Sequence, residues 1–284
     1  MTLQLFAVTP TGPRTLETAA TGGTVHDVLE RLPGGVYSAL RTFGHDRFLW
    51  LEEHLDRTER SMAGLGWPKR LDRATLRRAL HDVTTAYPLA DARVRFDVLR
   101  EPVDVQGANA DTLIALSPFV PVPEKFLRAG VRVDFAPHLR RDMPRIKATE
   151  FVRTRKPFPI GTQERYEHIL TDEEGRILEC SSANIAFVRR GELVTAGDGV
   201  LEGITLAVLL HLAPSLRLRV FRERLAVAAL AHVDEAFLSS SARGVVPIVQ
   251  VGEQRVADGR VGPLTDGLRE AYDAFAAREA RTAV

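Results

Sequence analysis

The chain has 284 residues, more than one domain usually holds, and its 45% hydrophobic and 26% charged content is ordinary for a globular protein. A formal net charge of +1, with Arg, Asp and Glu interspersed, gives no reason to expect a nucleic-acid or membrane surface, and no run approaches the roughly 18 apolar residues of a membrane span. One cysteine, Cys180, excludes an internal disulfide and fits a reducing compartment; the N-terminus also lacks a signal-peptide pattern, so the expected location is the cytoplasm.

Leu3–Val8 alternates as a strand does, and Val25–Leu32 reads as a short helix stopped by Pro33-Gly34-Gly35. Val36–Phe43 and Arg47–Leu51 read as strands joined at Gly44-His45-Asp46, a hairpin signal. Glu52–Leu65 is an amphipathic helix closed by Gly66, and Leu71–Tyr87 a second helix with Asp72 as a plausible N-cap. Arg93–Leu99 and Thr112–Ser117 read as strands, completing a small lobe. Pro118–Pro123, with three prolines, reads as a stiff linker. Beyond it Val131–Ala136 is a strand, and Glu164–Leu170 stays open between helix and strand. Gly175 and Gly191 punctuate a strand run from Ile177 to Val194. Thr205–Leu212 is a helix stopped by Pro214, Leu218–Glu223 a strand and Ala226–His232 a short helix. Glu235–Ser239, Val245–Val251 and Gln254–Ala257 are strand-like, and Leu264–Arg281 is a terminal helix.

Four stretches carry the chemistry. Ile146-Lys147-Ala148-Thr149-Glu150-Phe151 sets a lysine among apolar neighbours. Ile177-Leu178-Glu179-Cys180-Ser181-Ser182-Ala183-Asn184 places a carboxylate at a strand end before small hydroxyl residues and an Asn. Val200-Leu201-Glu202-Gly203-Ile204-Thr205 opens a helix, and Glu235–Pro247 runs through Ser239-Ser240-Ser241. Taken singly, each has an ordinary explanation. Lys147 could be a surface lysine, Glu179 a solvated strand-end acid, and Thr205 and Ser241 an N-cap and a turn residue.

In this order the four motifs resemble the fold-type IV pyridoxal-phosphate enzymes, the class IV aminotransferase family. That family includes branched-chain and D-amino-acid aminotransferases and aminodeoxychorismate lyase. The resemblance covers about Gly35 to about Phe275. It implies a two-domain α+β fold like that of D-amino-acid aminotransferase, with a small α+β lobe (1–118), a linker (119–126) and a larger cofactor-binding lobe with a β-barrel-like core (127–284). It also implies pyridoxal 5′-phosphate bound as a Schiff base on Lys147, one of only four lysines with Lys69, Lys125 and Lys156. Burial or a neighbouring cation can free such an amine of its proton near neutral pH.

By the same resemblance Glu179 holds the proton of the cofactor's pyridine nitrogen. Ser182, Asn184, Gly203, Ile204, Thr205, Ser240 and Ser241 line the cofactor, with helix-start amides, hydroxyls and a cation receiving its phosphate. Arg57, in His54-Leu55-Asp56-Arg57, is the implied cation; without the resemblance it reads as an exposed helix-face arginine. Tyr37, Arg41 and Arg95 are the implied substrate-binding residues. Arg93 and Arg95 share one strand face, which could equally be a solvent face of arginines. Tyr37 and Ser38 stand where relatives carry Phe and Glu. Glu150 and Phe151 stand where they carry Asn and a Tyr that bonds the cofactor's phenolic oxygen, a bond Phe151 cannot donate; Glu150–Arg155 could contribute to an unusual substrate pocket.

The implied activity is transfer of an amino group between an amino acid or amine and a keto acid; elimination of the aminodeoxychorismate lyase type is the alternative on the same scaffold. No metal, nucleic-acid partner or membrane is expected. The resemblance implies a homodimer with the active site near the subunit interface. The apolar run Phe48-Leu49-Trp50-Leu51 could be partly interfacial or belong to a monomer's core.

Overall fold

Strand β1 (Gln4–Thr9) opens the chain and pairs with β2 (Gly12–Leu16), a strand the alternation did not reveal. In this computed structural model the described residues are 3–17, 32–155, 158, 160–162 and 165–284. The helix expected over Val25–Leu32 lies, apart from Leu32, outside them. Two compact units result. One comprises Met1–Val120, Ile146–Arg153 and Ala276–Val284; the other comprises Pro121–Arg145 and Thr154–Phe275. The first unit thus recovers two segments from the stretch 127–284. Periodicity reports local structure and carries no sign of such returns.

In the first unit, β3 (Gly35–Arg41), β4 (Arg47–Phe48), helices α1 (Leu51–Gly64) and α2 (Arg73–Thr85), and strands β5 (Ala92–Val105) and β6 (Ala108–Pro118) follow in order. The antiparallel sheet runs β2-β1-β6-β5-β3. Asp72 caps α2 as expected, accepting the Thr75 amide at 3.0 Å. The turn at Gly44 forms, with Phe43 N–H donating to Arg47 O at 2.8 Å, but β4 stops at Phe48. Trp50, in left-handed backbone, starts α1 instead. Phe48, Leu49 and Leu51 are buried within this chain, so the apolar run is core rather than an exposed strand. The strands expected at Arg93–Leu99 and Thr112–Ser117 are longer and form one hairpin. Its two-residue loop, Gln106-Gly107, has φ of 54° and 76°, the positive values a tight hairpin turn requires. Exposed Arg100, Glu101 and Asp104 and a register shift between Val98 and Val103 hide the outer half from a pattern search.

Alternation divides the sheet. Val36, Leu40, Val94, Phe96, Val98, Ile114 and Leu116 pack with Leu55, Met62, Leu76, Leu80 and Val83 of the helices. The opposite faces of β3 and β5 carry Tyr37, Ala39 and Arg41 paired with Asp97, Arg95 and Arg93.

The second unit begins with α3 (Glu124–Ala129), absent from the sequence reading, and β7 (Val131–Phe135). Next in the chain is helix α4 (Thr149–Thr154), which apart from Thr154 belongs to the first unit. Then β8 (Glu167–Thr171) makes strand of the Glu167–Leu170 part of the ambiguous segment, whose first residue, Glu164, lies outside the described residues. The run from Ile177 divides into β9 (Ile177–Cys180), β10 (Asn184–Arg189) and β11 (Glu192–Thr195). Helix α5 (Ile204–Leu212), β12 (Arg219–Arg222), a 3-10 turn at Val227–His232, β13 (Glu235–Ser240), β14 (Gly244–Val251), β15 (Gln254–Arg255) and α6 (Pro263–Glu279) follow. β16 (Arg281–Thr282) pairs with β4 in the first unit.

The large sheet runs β12-β11-β10-β13-β14-β7-β8-β9, with β15 on β14. Five strand steps separate β9 from β10 along it, about 24 Å if the sheet were flat. Yet the chain joins them through Ser181-Ser182-Ala183 alone, a reach of at most about 14 Å, with Cys180 N–H bonding Ala183 O at 2.8 Å. The sheet must therefore curl, and the barrel-like core expected of the larger lobe is this curled sheet. Its interior holds Val131, Val133, Ile169, Ile177, Ile185, Phe187, Leu238 and Val246.

Candidate functional site

The first unit builds its polar cluster from β3, α1 and the segment carrying Lys147. Val36 and Ala148 form an antiparallel bridge, Tyr37 N–H donates to Lys147 O at 3.0 Å, and Gly35 N–H donates to Thr149 Oγ1 at 2.8 Å. Lys147 N–H donates to Ser61 Oγ at 3.2 Å, so the lysine's peptide is held from both sides. Its Nζ lies 4.8 Å from the centroid of the Tyr37 ring. Arg95 Cζ lies 4.3 Å from the same centroid, and Arg95 is bonded through Nε and Nη2 to Asp97 at 2.7 and 2.5 Å. Arg41 Cζ lies 4.2 Å from the Phe43 ring and 3.9 Å from the Phe119 ring.

Helix α1 presents His54, Arg57, Thr58 and Ser61 as a buried polar seam at helical spacing. Ser38 Oγ accepts Arg57 Nη2–H at 3.0 Å and sits 2.7 Å from His54 Nδ1. Burial holds the His54 imidazole well below its ordinary pKa, and the charges of Arg57 and Lys147 push it in the same direction. His54 is therefore neutral at physiological pH. Arg57 is not the exposed helix-face arginine that its sequence position allows, but a buried guanidinium.

The second unit builds its cluster on two turns and the start of α5. Glu179 Oε1 lies 3.1 Å from Arg141 Nε, and Glu179 Oε2 accepts Leu201 N–H at 3.3 Å. Asn184 Nδ2–H donates to Leu201 O at 2.8 Å. Both polar groups of the Leu201 peptide are thus gripped, which sets the approach to Gly203. A Cβ at Gly203 would collide with Asn184 Oδ1, so glycine is the residue that fits this N-cap. The N-cap makes no side-chain hydrogen bond, and the first helical bond runs from Ala207 N–H to Gly203 O. Amides at Ile204 and Thr205 are the kind of first-turn donors that receive anions. Thr205 Oγ1 lies 3.5 Å from Ser241 Oγ. Ser239 Oγ, opposite Asn184 in the ladder, is buried without a hydrogen-bond partner among the described residues. Helix-start amides, two hydroxyls and this unsatisfied buried hydroxyl suit a phosphate-bearing group.

Beside this lies a second acid. Glu167, fully buried, accepts Ser181 Oγ–H at 2.5 Å, the Ser182 hydroxyl, and Arg243 Nη1–H and Nη2–H at 3.1 Å each. Burial opposes its ionisation, but Arg243 and the hydroxyls outweigh that and hold its pKa below the usual range. Arg243 also donates to Ser240 Oγ at 3.0 Å and Ser182 Oγ at 2.8 Å, tying the two turns together. The hydroxyls of Ser182 and Ser240 are thus engaged with Glu167 and Arg243.

Of the residues singled out from sequence, Lys147, Tyr37, Arg41, Arg57 and Arg95 fall in the first unit. Glu179, Ser182, Asn184, Gly203, Ile204, Thr205, Ser240 and Ser241 fall in the second. Phe151 is buried on α4. Sequence reading missed Asp97, Arg141, Glu167 and Arg243 and the Ser38–His54 contact. Asp97 had a signal, since it lies two residues from Arg95 and so shares its strand face. Arg141, Glu167 and Arg243 had none, because their partners are distant in sequence. Among the described residues no group of His, Cys, Asp or Glu could hold a metal ion, and no helix is long and apolar enough to cross a membrane.

A family model described as amino-transferase class IV matches residues 35–251. A "probable branched-chain-amino-acid aminotransferase" of Thermotoga maritima is 29% identical over 251 residues, covering 86% of this chain and 87% of that protein. A D-alanine aminotransferase of Listeria innocua is 26% identical over 254 residues, covering 84% and 85%. Among solved structures, the branched-chain amino acid aminotransferase of Thermobaculum terrenum in its PLP-form superposes with a TM-score of 0.77 at 20% identity, covering 99% and 98%. That last likeness is one of fold.

Proposed function

The chain belongs to the class IV aminotransferase family, and from that premise we propose that Lys147 is the residue through which it holds pyridoxal 5′-phosphate and moves an amino group from an amino acid or amine to a keto acid. The observation that carries the assignment is the setting of Lys147, its peptide pinned to β3 and to Ser61 and its amine on the Tyr37 ring. When bound, the cofactor supplies an electron sink for the charge left by a departing α-proton. Lys147 Nζ takes that proton and returns it to the substrate skeleton. Glu179, oriented by Arg141 and the Leu201 amide, holds the proton on the ring nitrogen. The Ile204 and Thr205 amides and the Thr205 and Ser241 hydroxyls would hold the phosphate, and Arg57 is the cation that the family resemblance assigns to it. Asn184 and Gly203 shape that helix start, and the Ser182 and Ser240 hydroxyls, bonded to Glu167 and Arg243, keep the two turns in place. Tyr37, Arg41 and Arg95 form the substrate-facing strip of β3 and β5.

The same reading makes the protein a cytoplasmic homodimer, supported by the family resemblance. The test of the activity is spectroscopic. Purified protein given pyridoxal phosphate should be yellow, and a panel of D- and L-amino acids and primary amines should bleach it, with colour restored by a keto acid. A colourless protein, or one whose colour no donor alters, would contradict the assignment.

A further inference from the structure

Glu167 puts a carboxylate where the second unit is otherwise apolar. On β8 it shares a face with Ile169 and pairs across to Val133, both of the interior of the curled sheet. Its oxygens are well supplied with donors. Oε1 accepts the Ser181 hydroxyl at 2.5 Å and the His168 amide at 3.1 Å; Oε2 accepts the Ser182 hydroxyl and both terminal nitrogens of Arg243 at 3.1 Å. Replacing a buried ion pair by apolar residues of similar volume often costs no stability, so folding alone does not call for this one.

What the pair does is join segments, and its two arms run to one place. From Glu167 one arm passes through Ser181 and Ser182 to Asn184. The Asn184 amide holds Leu201 O at 2.8 Å, and its Oδ1 fits against Gly203, the N-cap of α5. From Arg243 the other arm passes through Ser240 Oγ, at 3.0 Å, to Ser241, whose hydroxyl lies 3.5 Å from Thr205 Oγ1 in the first turn of the same helix. Arg243 also donates to Ser182 Oγ at 2.8 Å and Ser182 O at 3.2 Å, which ties the arms together. An arginine two residues from Ser241 invites assignment as a direct phosphate ligand. Yet its Nε, Nη1 and Nη2 each have a protein acceptor within 3.1 Å.

We propose that Glu167 and Arg243 are positioning residues for the phosphate site: together they fix the start of α5 and the Ser241 hydroxyl from two sides, and neither touches the phosphate. This rests on the aminotransferase reading and adds how its phosphate site is held in shape. One sign separates positioning from a purely electrostatic role. Removing a negative charge near an anion site strengthens anion binding if only the field matters. Breaking the latch weakens it, because the ligand must then order the two turns itself.

The experiment titrates apoprotein with inorganic phosphate, pyridoxal phosphate and phosphate-free pyridoxine, with the denaturant midpoint measured beside each titration. Glu167→Gln should bind both phosphate compounds at least about tenfold more weakly than the wild type. Pyridoxine should stay within about threefold, since Glu179 keeps Arg141 and the Leu201 amide. Because Glu167→Gln leaves Arg243 without its counter-ion, the double variant Glu167→Gln/Arg243→Met, which preserves net charge, is measured too and should show the same selective loss. Tighter or unchanged phosphate binding in these variants, an equal loss on pyridoxine, or a lowered midpoint with affinities intact would overturn the proposal. A wild-type apoprotein that binds no pyridoxal phosphate would instead contradict the aminotransferase reading beneath it.

Discussion

The two units handle buried charge differently. The first sets the buried Arg57 near Lys147, pairs buried Arg95 with buried Asp97, and keeps the buried imidazole of His54 neutral. The second gathers acids, Glu167 and Glu179, and ties each to an arginine, Arg243 and Arg141. A cluster that must supply an amine benefits from neighbouring positive charge, which disfavours a protonated lysine. A cluster that must hold a proton on a ring nitrogen needs carboxylates fixed in place, and bonded carboxylates resist reorientation. Sheet type follows the same division. The lysine is pinned against the edge strand of a small antiparallel sheet, whereas the acids lie at the tight turn that makes the larger sheet curl.

The largest expected effect tests the amine side. Lys147→Ala should abolish the visible absorbance of bound cofactor and lower transamination by about 10²–10⁴-fold or more; near-normal turnover would break the contrast at its centre. Next comes the acid side. Glu179→Gln should keep the cofactor bound but slow turnover by up to about a thousandfold, the worth of roughly 4 kcal/mol at 4 Å separation. A Gln variant within about a factor of two of the parent in stopped-flow assays would remove Glu179 from its role. Arg57→Ala should weaken cofactor binding by about ten- to a hundredfold, since a charge-assisted hydrogen bond is worth about 1.5–3 kcal/mol. Equilibrium titration with pyridoxal phosphate checks it, and unchanged affinity would place Arg57 outside the phosphate site.

Acid should act on the two units in different windows. His54 has its folded pKa depressed below an unfolded value near 6.5, so the unfolded chain takes up its proton first. The stability of the first unit should be fully present above about pH 6.5 and fall below it, by up to roughly 1.4 kcal/mol per pH unit. Glu167, also depressed, should cost the second unit stability only below its unfolded value of about 4.3. Both tryptophans, Trp50 and Trp67, lie in the first unit, so denaturant midpoints followed by their fluorescence report that unit. His54→Gln should flatten the dependence between about pH 6.5 and 5; an unaltered slope would contradict the assignment. The smallest effect concerns assembly. Light scattering at micromolar concentration should give twice the 31.4 kDa chain mass, and an active species at the single-chain mass would refute the dimer.

What could be read from sequence was what lies contiguously in it. Lys147 in its six-residue motif, the Gly203-Ile204-Thr205 helix start and the Asp72 cap are local patterns with local causes. The curl of the large sheet was implied by the resemblance, but its cause, a three-residue link across five strand steps, emerges only once strand order is known. The β5–β6 hairpin was half visible because its outer residues are exposed and break the alternation. Glu167 and Arg243 are 76 positions apart, and nothing in either neighbourhood marks them as partners. His54 and Ser61 were legible as helix residues but not as a buried seam, since polar residues on a helix ordinarily face water.

The central claim is that Lys147, among four lysines, carries the cofactor. Borohydride reduction of the holoprotein followed by peptide mass mapping tests it most directly. The expected result is a single pyridoxyl adduct on the peptide containing Lys147, absent when substrate amine is added first. An adduct on Lys69, Lys125 or Lys156 instead, with Lys147 unmodified, would contradict it.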